Sequence, residues 1–337
     1  MPVRRRPVAV GLGLILIVLV AGYAGASYIA YDLLTYRGTL CADESGPRFQ
    51  DYTPASFGTR GISDEFTSGG FDTMPYAMPG YQEVSFPSRD PHRPTLTIRA
   101  WWVPAATAGA PAVVVVHGIG SCRRDPVVLL PAGMLARNGF SVLIMDMRDA
   151  GDSDVEDGRV AWGTEEYLDV LGAWDWLQAE QGVSAQRIGL LGESLGAGTA
   201  IFAMAEEPAI AATWADSGIA DLNVMVDDNF AKNGLPTWLD GGTMLWARII
   251  SGDDLTSRRP LDAVEKIGAR PLAIVHGLAD DRLDVRYARD LAAMHARFVP
   301  GFEPWLVPRA RHLQAAFAEP AEYERRLVEF FRASLGV

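Results

Sequence analysis

The sequence predicts an α/β fold built on a mostly parallel sheet of eight strands flanked by helices, and three observations support this prediction. Short runs rich in β-branched or aromatic residues recur along the chain, and each later run is followed by a helical pattern or a long excursion. The runs at 113–116 and 142–145 are continuously apolar, as expected for central parallel strands covered on both faces. Strands that alternate with helices favour a parallel sheet with right-handed crossovers.

The individual elements follow from the same patterns. Strands are predicted at 81–86, 95–103, 112–116, 141–146, 187–192, 212–216, 271–276 and 302–307. Helices are predicted at 127–137, 165–180, 195–205, 285–298 and 321–334. With 337 residues, of which 49% are hydrophobic, the chain is long enough to bury a substantial core.

The N-terminal segment is apolar enough to enter a membrane. No charged residue occurs from Pro7 to Tyr31, and residues 8–30 would extend about 34 Å as a helix, which is enough to cross the hydrocarbon core. The basic head at Arg4, Arg5 and Arg6 should remain in the cytoplasm. Residues 1–40 are therefore predicted to form a single-pass anchor, with the remaining domain on the extracytoplasmic side of the cell membrane.

Two alternatives remain for this segment. The basic head and the small residues Ala24-Gly25-Ala26 also fit a cleaved secretory signal, in which case the domain is secreted. A buried core helix is the less favoured alternative, because the apolar residues run all the way round the helix.

After the anchor, the chain divides into three further regions. Residues 41–80 are rich in Gly, Pro, Ser and Thr and are predicted to be a linker over the surface of the main domain, residues 81–337. Within that domain, the excursion between Gly218 and Pro271 is too long for a simple connection. We interpret it as a small, mostly helical cap inserted at about 219–262, the alternative being a surface excursion away from the chemistry.

The net charge and the cysteine content narrow the classes of partner and of structural site that are expected. The net charge is −12, the only lysines are Lys232 and Lys266, and no basic run follows residue 6, so nucleic acid is not an expected partner. Cys41 and Cys122 are too few for a disulfide scaffold and lack the close spacing of a zinc site. In an exported domain they could pair, although two unpaired structural cysteines fit the sequence equally well.

A nucleophile motif follows the strand at 187–192. In the sequence Gly192-Glu193-Ser194-Leu195-Gly196, the serine lies at a strand-to-helix turn that is too tight for bulky neighbours two positions away. The backbone N–H of Leu195 would begin the following helix, where free N–H groups and the helix dipole favour an oxyanion. A second oxyanion donor is assigned to the N–H of Ile119, in the glycine-containing loop after the strand at 112–116.

An activated serine needs a general base, and the position of each histidine in the chain narrows the choice. His117 and His276 end apolar strands and fit structural roles, His295 lies inside a helix, and His92 lies in a proline-rich loop. His312 follows the last strand in a short loop, which would reach the carboxyl edge of the sheet beside Ser194.

The base in turn needs a carboxylate to orient it. Asp280 and Asp281 follow the strand at 271–276, and the sequence alone does not separate them. With either one, the chain order is nucleophile, acid, base, the order of the α/β hydrolases.

These motifs, taken together, resemble the α/β-hydrolase superfamily, in particular the membrane-anchored or secreted serine hydrolases of the BEM46-like and prolyl-oligopeptidase-like groups. The likeness runs from about Thr53 to the C-terminus, through 53–54, 101–104, 117–118, 146–153, 192–196 and 271–280. The resemblance implies that Asp280, four residues after the strand-end histidine, is the triad acid. Two positions depart from the family pattern: Asp149-Ala150 stands where glycine is common, and Arg311 stands where glycine commonly precedes the histidine.

The expected function is a serine hydrolase of small acyl substrates, most of all a carboxylic ester hydrolase, with Ser194, Asp280 and His312 as its triad. Neither a metal nor a cofactor is needed for this chemistry. The first alternative is a serine peptidase of the prolyl-oligopeptidase type, which usually carries a large accessory domain for which the length leaves no room. The second is a membrane-tethered, non-catalytic scaffold.

Overall fold

The computed structural model describes residues 6–36, 41, 52–57 and 71–336, so Arg4, Arg5 and most of the 41–80 linker lie outside the described residues. The described strands form one sheet in the order β1-β2-β4-β3-β5-β6-β7-β8. They are β1 (Gln82–Pro87), β2 (Thr97–Val103), β3 (Ala112–Val116), β4 (Ser141–Met145), β5 (Ile188–Glu193), β6 (Ala212–Asp216), β7 (Leu272–Gly277) and β8 (Trp305–Val307). Only β2 pairs antiparallel to its neighbours, which confirms the predicted mostly parallel, eight-stranded α/β sheet.

The core lies on both faces of the central strands. Every residue of β3 and β4 is buried, and the side chains of β3 alternate between two apolar clusters, with Val114 and Val116 in one and Val113 and Val115 in the other. A strand buried on both faces cannot alternate apolar with polar residues, which explains the continuous apolar runs in the sequence.

Helices cover both faces of the sheet, and the five helices predicted individually lie within three residues of their predicted bounds. The described helices are α1 (Arg6–Thr35), α2 (Pro126–Arg137), α3 (Tyr167–Ala179), α4 (Leu195–Glu206), α5 (Leu222–Lys232), α6 (Asp240–Ile250), α7 (Pro260–Ile267), α8 (Arg286–His295), α9 (Ala315–Ala318) and α10 (Pro320–Leu335). Local chemistry sets several ends: the Asp125 carboxylate accepts from Val127 N at the start of α2, and Gly336 ends α10 in the left-handed region.

The predicted boundaries are least accurate between α8 and β8. The regular helix ends at His295, after which the N–H groups of Arg297 and Phe298 donate to carbonyls only three residues back, those of Met294 and His295, in tighter turns. Phe302 then donates to the Val299 carbonyl in a turn and packs against the His295 ring, 4.5 Å between centroids. The strand therefore begins at Trp305 rather than at 302.

The long excursion between β6 and β7 is helical, and it lies beside the carboxyl edge of the sheet. It contains α5, a 3₁₀ turn at Thr237–Leu239, and α6. The next helix, α7, packs against α4 and belongs to the layer that flanks the sheet. We call α5, the turn and α6 the cap.

The N-terminal helix α1 has two different halves. Its segment Val10–Thr35 is long and apolar enough to cross a membrane. The large apolar side chains from Val10 to Val20 are exposed, whereas Ser27, Ala30, Tyr31 and Thr35 are buried against the domain. The sequence predicted an anchor, but it did not predict that the second half would pack against the cap.

A disulfide joins the two cysteines that the sequence left open. Cys41 and Cys122 are bonded across a separation of 81 residues, and Cys122 is fully buried. The bridge ties the segment after α1 to the loop after β3.

Candidate active site

Ser194 lies at the tight turn between β5 and α4. Its backbone has φ 55° and ψ −114°, a conformation rare for a residue with a side chain. A Cβ at Gly192 would clash with the Gly196 carbonyl, and a Cβ at Gly196 would clash with the Val116 carbonyl. The two glycines therefore permit the strained turn that holds the serine at the carboxyl edge of the sheet.

The structure brings all three predicted triad residues together. His312 Nε2 lies 3.0 Å from Ser194 Oγ, and His312 Nδ1 lies 2.7 Å from Asp280 Oδ2. Because an ionised carboxylate only accepts hydrogen bonds, Nδ1 carries the proton and Nε2 is left to accept from the serine hydroxyl. This is the arrangement a general base needs.

The structure separates the two aspartates that the sequence could not. The Asp280 side chain is buried, and its Oδ1 accepts from the backbone N–H groups of Arg282 and Leu283, at 2.9 Å each. Burial, the largest single influence, would raise the pKa of Asp280, but the hydrogen bonds from His312 and Leu283 N together with the charge interaction with His312 outweigh it and hold the pKa below its usual range. Asp281 is exposed and pairs with Arg311 at 2.7 Å, away from the histidine.

The two predicted oxyanion donors lie on either side of the serine. Leu195 is the first residue of α4, and Ile119 lies in the loop after β3. A Cβ on Gly118 would lie 3.1 Å from Ser194 Cβ, so this loop approaches the serine closely. Among the described residues, the backbone N–H groups of Ile119 and Leu195 donate no hydrogen bond within the protein. Both residues line the same cleft as Ser194.

A cleft of about 820 Å³ opens above Ser194. One wall is α5 of the cap, which contributes Met225, Asn229 and Lys232. Both apolar and charged side chains line the cleft. The lining includes Ile119, Trp162, Leu195, Ile219 and Leu283 among the apolar residues and Asp228, Arg282 and Arg311 among the charged ones.

The two histidines at strand ends, His117 and His276, stabilise segments that carry residues of the site. His117 is buried, its Nε2 accepts from Met147 N at 3.0 Å, and burial lowers its pKa, so the neutral ring braces the loop that carries Ile119. His276 Nε2 lies 3.3 Å from Asp280 Oδ2. The sequence assigned His276 a structural role and missed this contact with the carboxylate that holds His312.

Trp162 is a cleft residue that no sequence pattern indicates. Its backbone is in the left-handed region at φ 55°. The buried Glu166 carboxylate holds it there by accepting from the N–H groups of Ala161 and Gly163, at 2.8 Å each. The indole N–H donates to the Leu34 carbonyl of α1 at 3.0 Å. This contact between distant segments has no sequence signature.

Two buried carboxyl groups lie beneath the serine. Asp216 accepts from Ser217 Oγ at 2.8 Å and from the Tyr323 hydroxyl at 2.9 Å. Glu193, next to Ser194, is fully buried, and burial together with the nearby Asp216 raises its pKa well above the usual value. Burial also raises the pKa of Asp216, but its two donors oppose that shift, so Glu193 is the carboxyl whose protonated form the site favours more strongly.

The raised pKa of Glu193 predicts that Glu193→Gln increases the thermal stability of the protein in a pH-dependent way. A carboxyl whose pKa is higher in the folded state than in the unfolded state makes the unfolding free energy fall as pH rises above the unfolded pKa. Glutamine cannot titrate, so at pH 8 the variant should melt about 1–2 °C above wild type, as for roughly 1 kcal/mol in a chain of 337 residues. Thermal unfolding from pH 4 to pH 8 measures the difference, which should shrink towards pH 4. The exposed Glu180→Gln is the control, and a difference independent of pH would contradict this account.

One further acidic group has the spacing of a metal site. Ligand oxygens of Asp90, Glu156 and Glu165 all lie within 4.8 Å of one another. Arg148 already lies among them, with Nη1 at 3.0, 2.7 and 3.3 Å from the three carboxylates. The guanidinium supplies the positive charge at this point, and the group is an ion-pair cluster that fixes the loop after β4.

Solved structures with this fold include both esterases and a peptidase. An esterase from Pyrococcus furiosus, Pf2001, matches with a TM-score of 0.62 and 23% identity over 80% of this chain and 96% of its own. An acylaminoacyl peptidase from Pyrococcus horikoshii matches with a TM-score of 0.54 and 18% identity over 76% of this chain and 41% of its own. At these identities the likeness shows the α/β-hydrolase fold alone.

Sequence relatives and a family model identify the family of the chain. An uncharacterized 31.7 kDa protein of Escherichia coli is 33% identical over 128 residues, and the match spans 43% of its length. A protein of Aspergillus aculeatus, thiohydrolase aneE, is 31% identical over 94 residues, which is 28% of this chain and 29% of the relative. Residues 130–337, more than half of the chain, match the model of the prolyl oligopeptidase family. The chain therefore belongs to the prolyl oligopeptidase family and has the α/β-hydrolase fold.

Proposed function

We propose that this protein is a carboxylic ester hydrolase that works through an acyl-enzyme on Ser194. The observation that carries the proposal is the continuous chain of hydrogen-bonding contacts from Ser194 Oγ through His312 to Asp280, at 3.0 and 2.7 Å. Such a chain activates a hydroxyl that is otherwise a poor nucleophile.

The steps follow from this geometry. Ser194 Oγ forms a bond to the acyl carbon while His312 Nε2 takes the hydroxyl proton, and the N–H groups of Ile119 and Leu195 stabilise the oxyanion. His312 returns the proton to the leaving alcohol as the ester C–O bond breaks. Water, activated by the same histidine, then attacks the acyl-enzyme and releases the acid. Asp280 stabilises the imidazolium in both steps and stays ionised because its pKa is lowered.

Relatives favour an ester over a peptide. The likeness covers 96% of the Pyrococcus furiosus esterase and 41% of the acylaminoacyl peptidase, so the esterase is the neighbour matched over nearly its whole length. The partial match to a thiohydrolase points to acyl chemistry at a non-peptide bond. Peptide hydrolysis is the second candidate, because the family model is that of prolyl oligopeptidases.

The same proposal places the site outside the cytoplasm, on a retained anchor. The Cys41–Cys122 disulfide and the apolar helix α1 support export. Cleavage after Ala26 would remove Ala24, whose carbonyl accepts from Trp246 of the cap at 2.9 Å. Retention of α1 preserves this contact, so an anchor is favoured over a cleaved signal.

A substrate panel tests the reaction. The full chain in detergent should hydrolyse p-nitrophenyl esters of short acyl groups, with turnover that Ser194→Ala removes, and it should leave prolyl and N-acetylated peptides intact. Cleavage of the peptides without the esters would overturn the ester assignment in favour of the peptidase. If the folded chain cleaves neither, the non-catalytic scaffold becomes the better account.

A further inference from the structure

The cap is built around the second half of α1. Trp246 of α6 donates its indole N–H to the Ala24 carbonyl, and the Tyr31 hydroxyl lies 2.7 Å from Ser251 Oγ just after α6. A Cβ on Gly242 would clash with the Ser27 side chain, so glycine allows the two helices to touch. The order of these contacts shows that α1 and α6 run side by side in the same general direction. The start of α6 lies nearest the first half of α1, whose apolar side chains are exposed.

An aromatic pair forms where α1 meets the turn that precedes α6. The rings of Tyr23 and Trp238 are stacked, with centroids 5.6 Å apart and planes inclined by 25°. From Arg6 to Tyr23, α1 rises about 26 Å, close to the roughly 30 Å hydrocarbon thickness of a bilayer. If α1 begins to cross at Arg6, this pair lies at the opposite membrane interface, where tryptophan and tyrosine are enriched.

Large apolar side chains of the cap are exposed. Leu235, Trp238, Leu245 and Ile249, which we call the cap patch, are 40%, 62%, 55% and 62% exposed. Leu245 and Ile249 are four residues apart on one face of α6, next to the Gly242 side that meets α1. The patch is therefore continuous with the helix that is apolar enough to cross a membrane.

The chain leads from the cleft to the cap patch. Asn229 and Lys232 of α5 line the cleft, and Leu235 and Trp238 follow Lys232 three and six residues later. On the other side, Trp162 lines the cleft and is hydrogen-bonded to Leu34 near the end of α1. The chain connection on one side and the Trp162–Leu34 hydrogen bond on the other tie the cleft to the anchor helix and the cap. The opening of the cleft therefore keeps a set distance from the membrane.

We propose that the cap patch inserts into the bilayer that α1 crosses and that the cleft takes its substrate from the membrane surface. The substrate class is an amphiphilic acyl ester that partitions into the bilayer. This inference rests on the proposed esterase function and narrows its substrate. The acyl transfer is the one already described, with the fatty acyl group on Ser194 and the alcohol as leaving group.

The first experiment compares two esters with the full chain in phosphatidylcholine vesicles. One is p-nitrophenyl acetate in the water, and the other is monooleoylglycerol dissolved in the vesicles. Wild type should hydrolyse both. Trp238→Asp and Leu245→Asp should keep acetate turnover within about twofold. They should lose at least about tenfold on monooleoylglycerol, because an aspartate is strongly excluded from the hydrocarbon.

Phe298→Asp is the matched control. Phe298 is also a partly exposed apolar residue, but it lies after α8, at the opposite edge of the sheet from the cleft. It should leave both rates unchanged, and α1 keeps every variant in the membrane. Acetate turnover with equal monooleoylglycerol rates in wild type and patch variants, or with no monooleoylglycerol turnover by wild type, overturns the inference but leaves the esterase intact. Failure of wild type on both esters refutes the proposed function instead.

The second experiment does not depend on catalysis. Tryptophan fluorescence of the full chain is measured in vesicles made from brominated phosphatidylcholine, in which bromine quenches indoles that enter the acyl region. Wild type and Ser194→Ala should be quenched more than Trp238→Phe. Equal quenching of wild type and Trp238→Phe would show that the cap patch stays in water, and it would overturn the inference whatever the enzyme hydrolyses.

Discussion

Ser194→Ala is expected to lower kcat/KM for a short acyl ester by about five to six orders of magnitude, and His312→Ala by a similar factor. The serine supplies the bond to the acyl group, and the histidine, 3.0 Å away, supplies the base that makes that bond possible. Because the two residues act as one unit, the double variant should be no slower than either single variant. Steady-state hydrolysis of p-nitrophenyl acetate measures all three.

Ser121→Ala provides the matched control. Ser121 lines the same cleft, but its hydroxyl donates to Asp125 at 2.8 Å, away from His312. Its loss should change the rate by no more than a few-fold. Ser194→Ala with activity equal to that of Ser121→Ala would mean that another group is the nucleophile.

Asp280→Asn should cost about 10³–10⁴-fold in kcat, because the asparagine amide can donate to His312 and favour the tautomer that cannot take the serine proton. The neighbouring substitution Asp281→Asn should change kcat by less than about threefold, since Asp281 forms an exposed pair with Arg311. KM should change little in either variant. Equal losses for the two variants would show that the loop as a whole, and not the Asp280–His312 hydrogen bond, limits the rate.

The fold was predictable because its signals are local. Alternating strand and helix patterns define a parallel sheet, and the continuous apolar run of β3 shows that it is buried on both faces. Ser194 was identified from its neighbours, since Gly192 and Gly196 are the residues that the turn demands. His312 was identified from its position after the last strand.

Two departures from the family pattern are accommodated by local interactions. Asp149 adopts φ 59°, the left-handed conformation that a glycine would favour, and its carboxylate accepts from the N–H groups of Glu156 and Gly158, at 2.8 Å each. Aspartate tolerates this region better than most residues when its side chain bonds locally. Arg311 pairs with Asp281 and links the two loops that carry the histidine and the acid.

The features that could not be predicted from the sequence are contacts between segments that lie far apart in the chain. Asp280 and Asp281 are adjacent and chemically equal, so only the position of the His312 ring separates them. The packing of α1 on α6 was missed because its apolar surface already fitted a membrane span. Trp162 was missed because its partner, the Leu34 carbonyl, is 128 residues away.

Labelling with a fluorophosphonate, which reacts with activated serines, tests the central claim most directly. The full-length wild-type chain should take up one equivalent, and mass spectrometry should place the adduct on Ser194. Ser194→Ala and His312→Ala should take up none. A folded wild-type chain that remains unlabelled, or an adduct on any other residue, would contradict the proposed nucleophile.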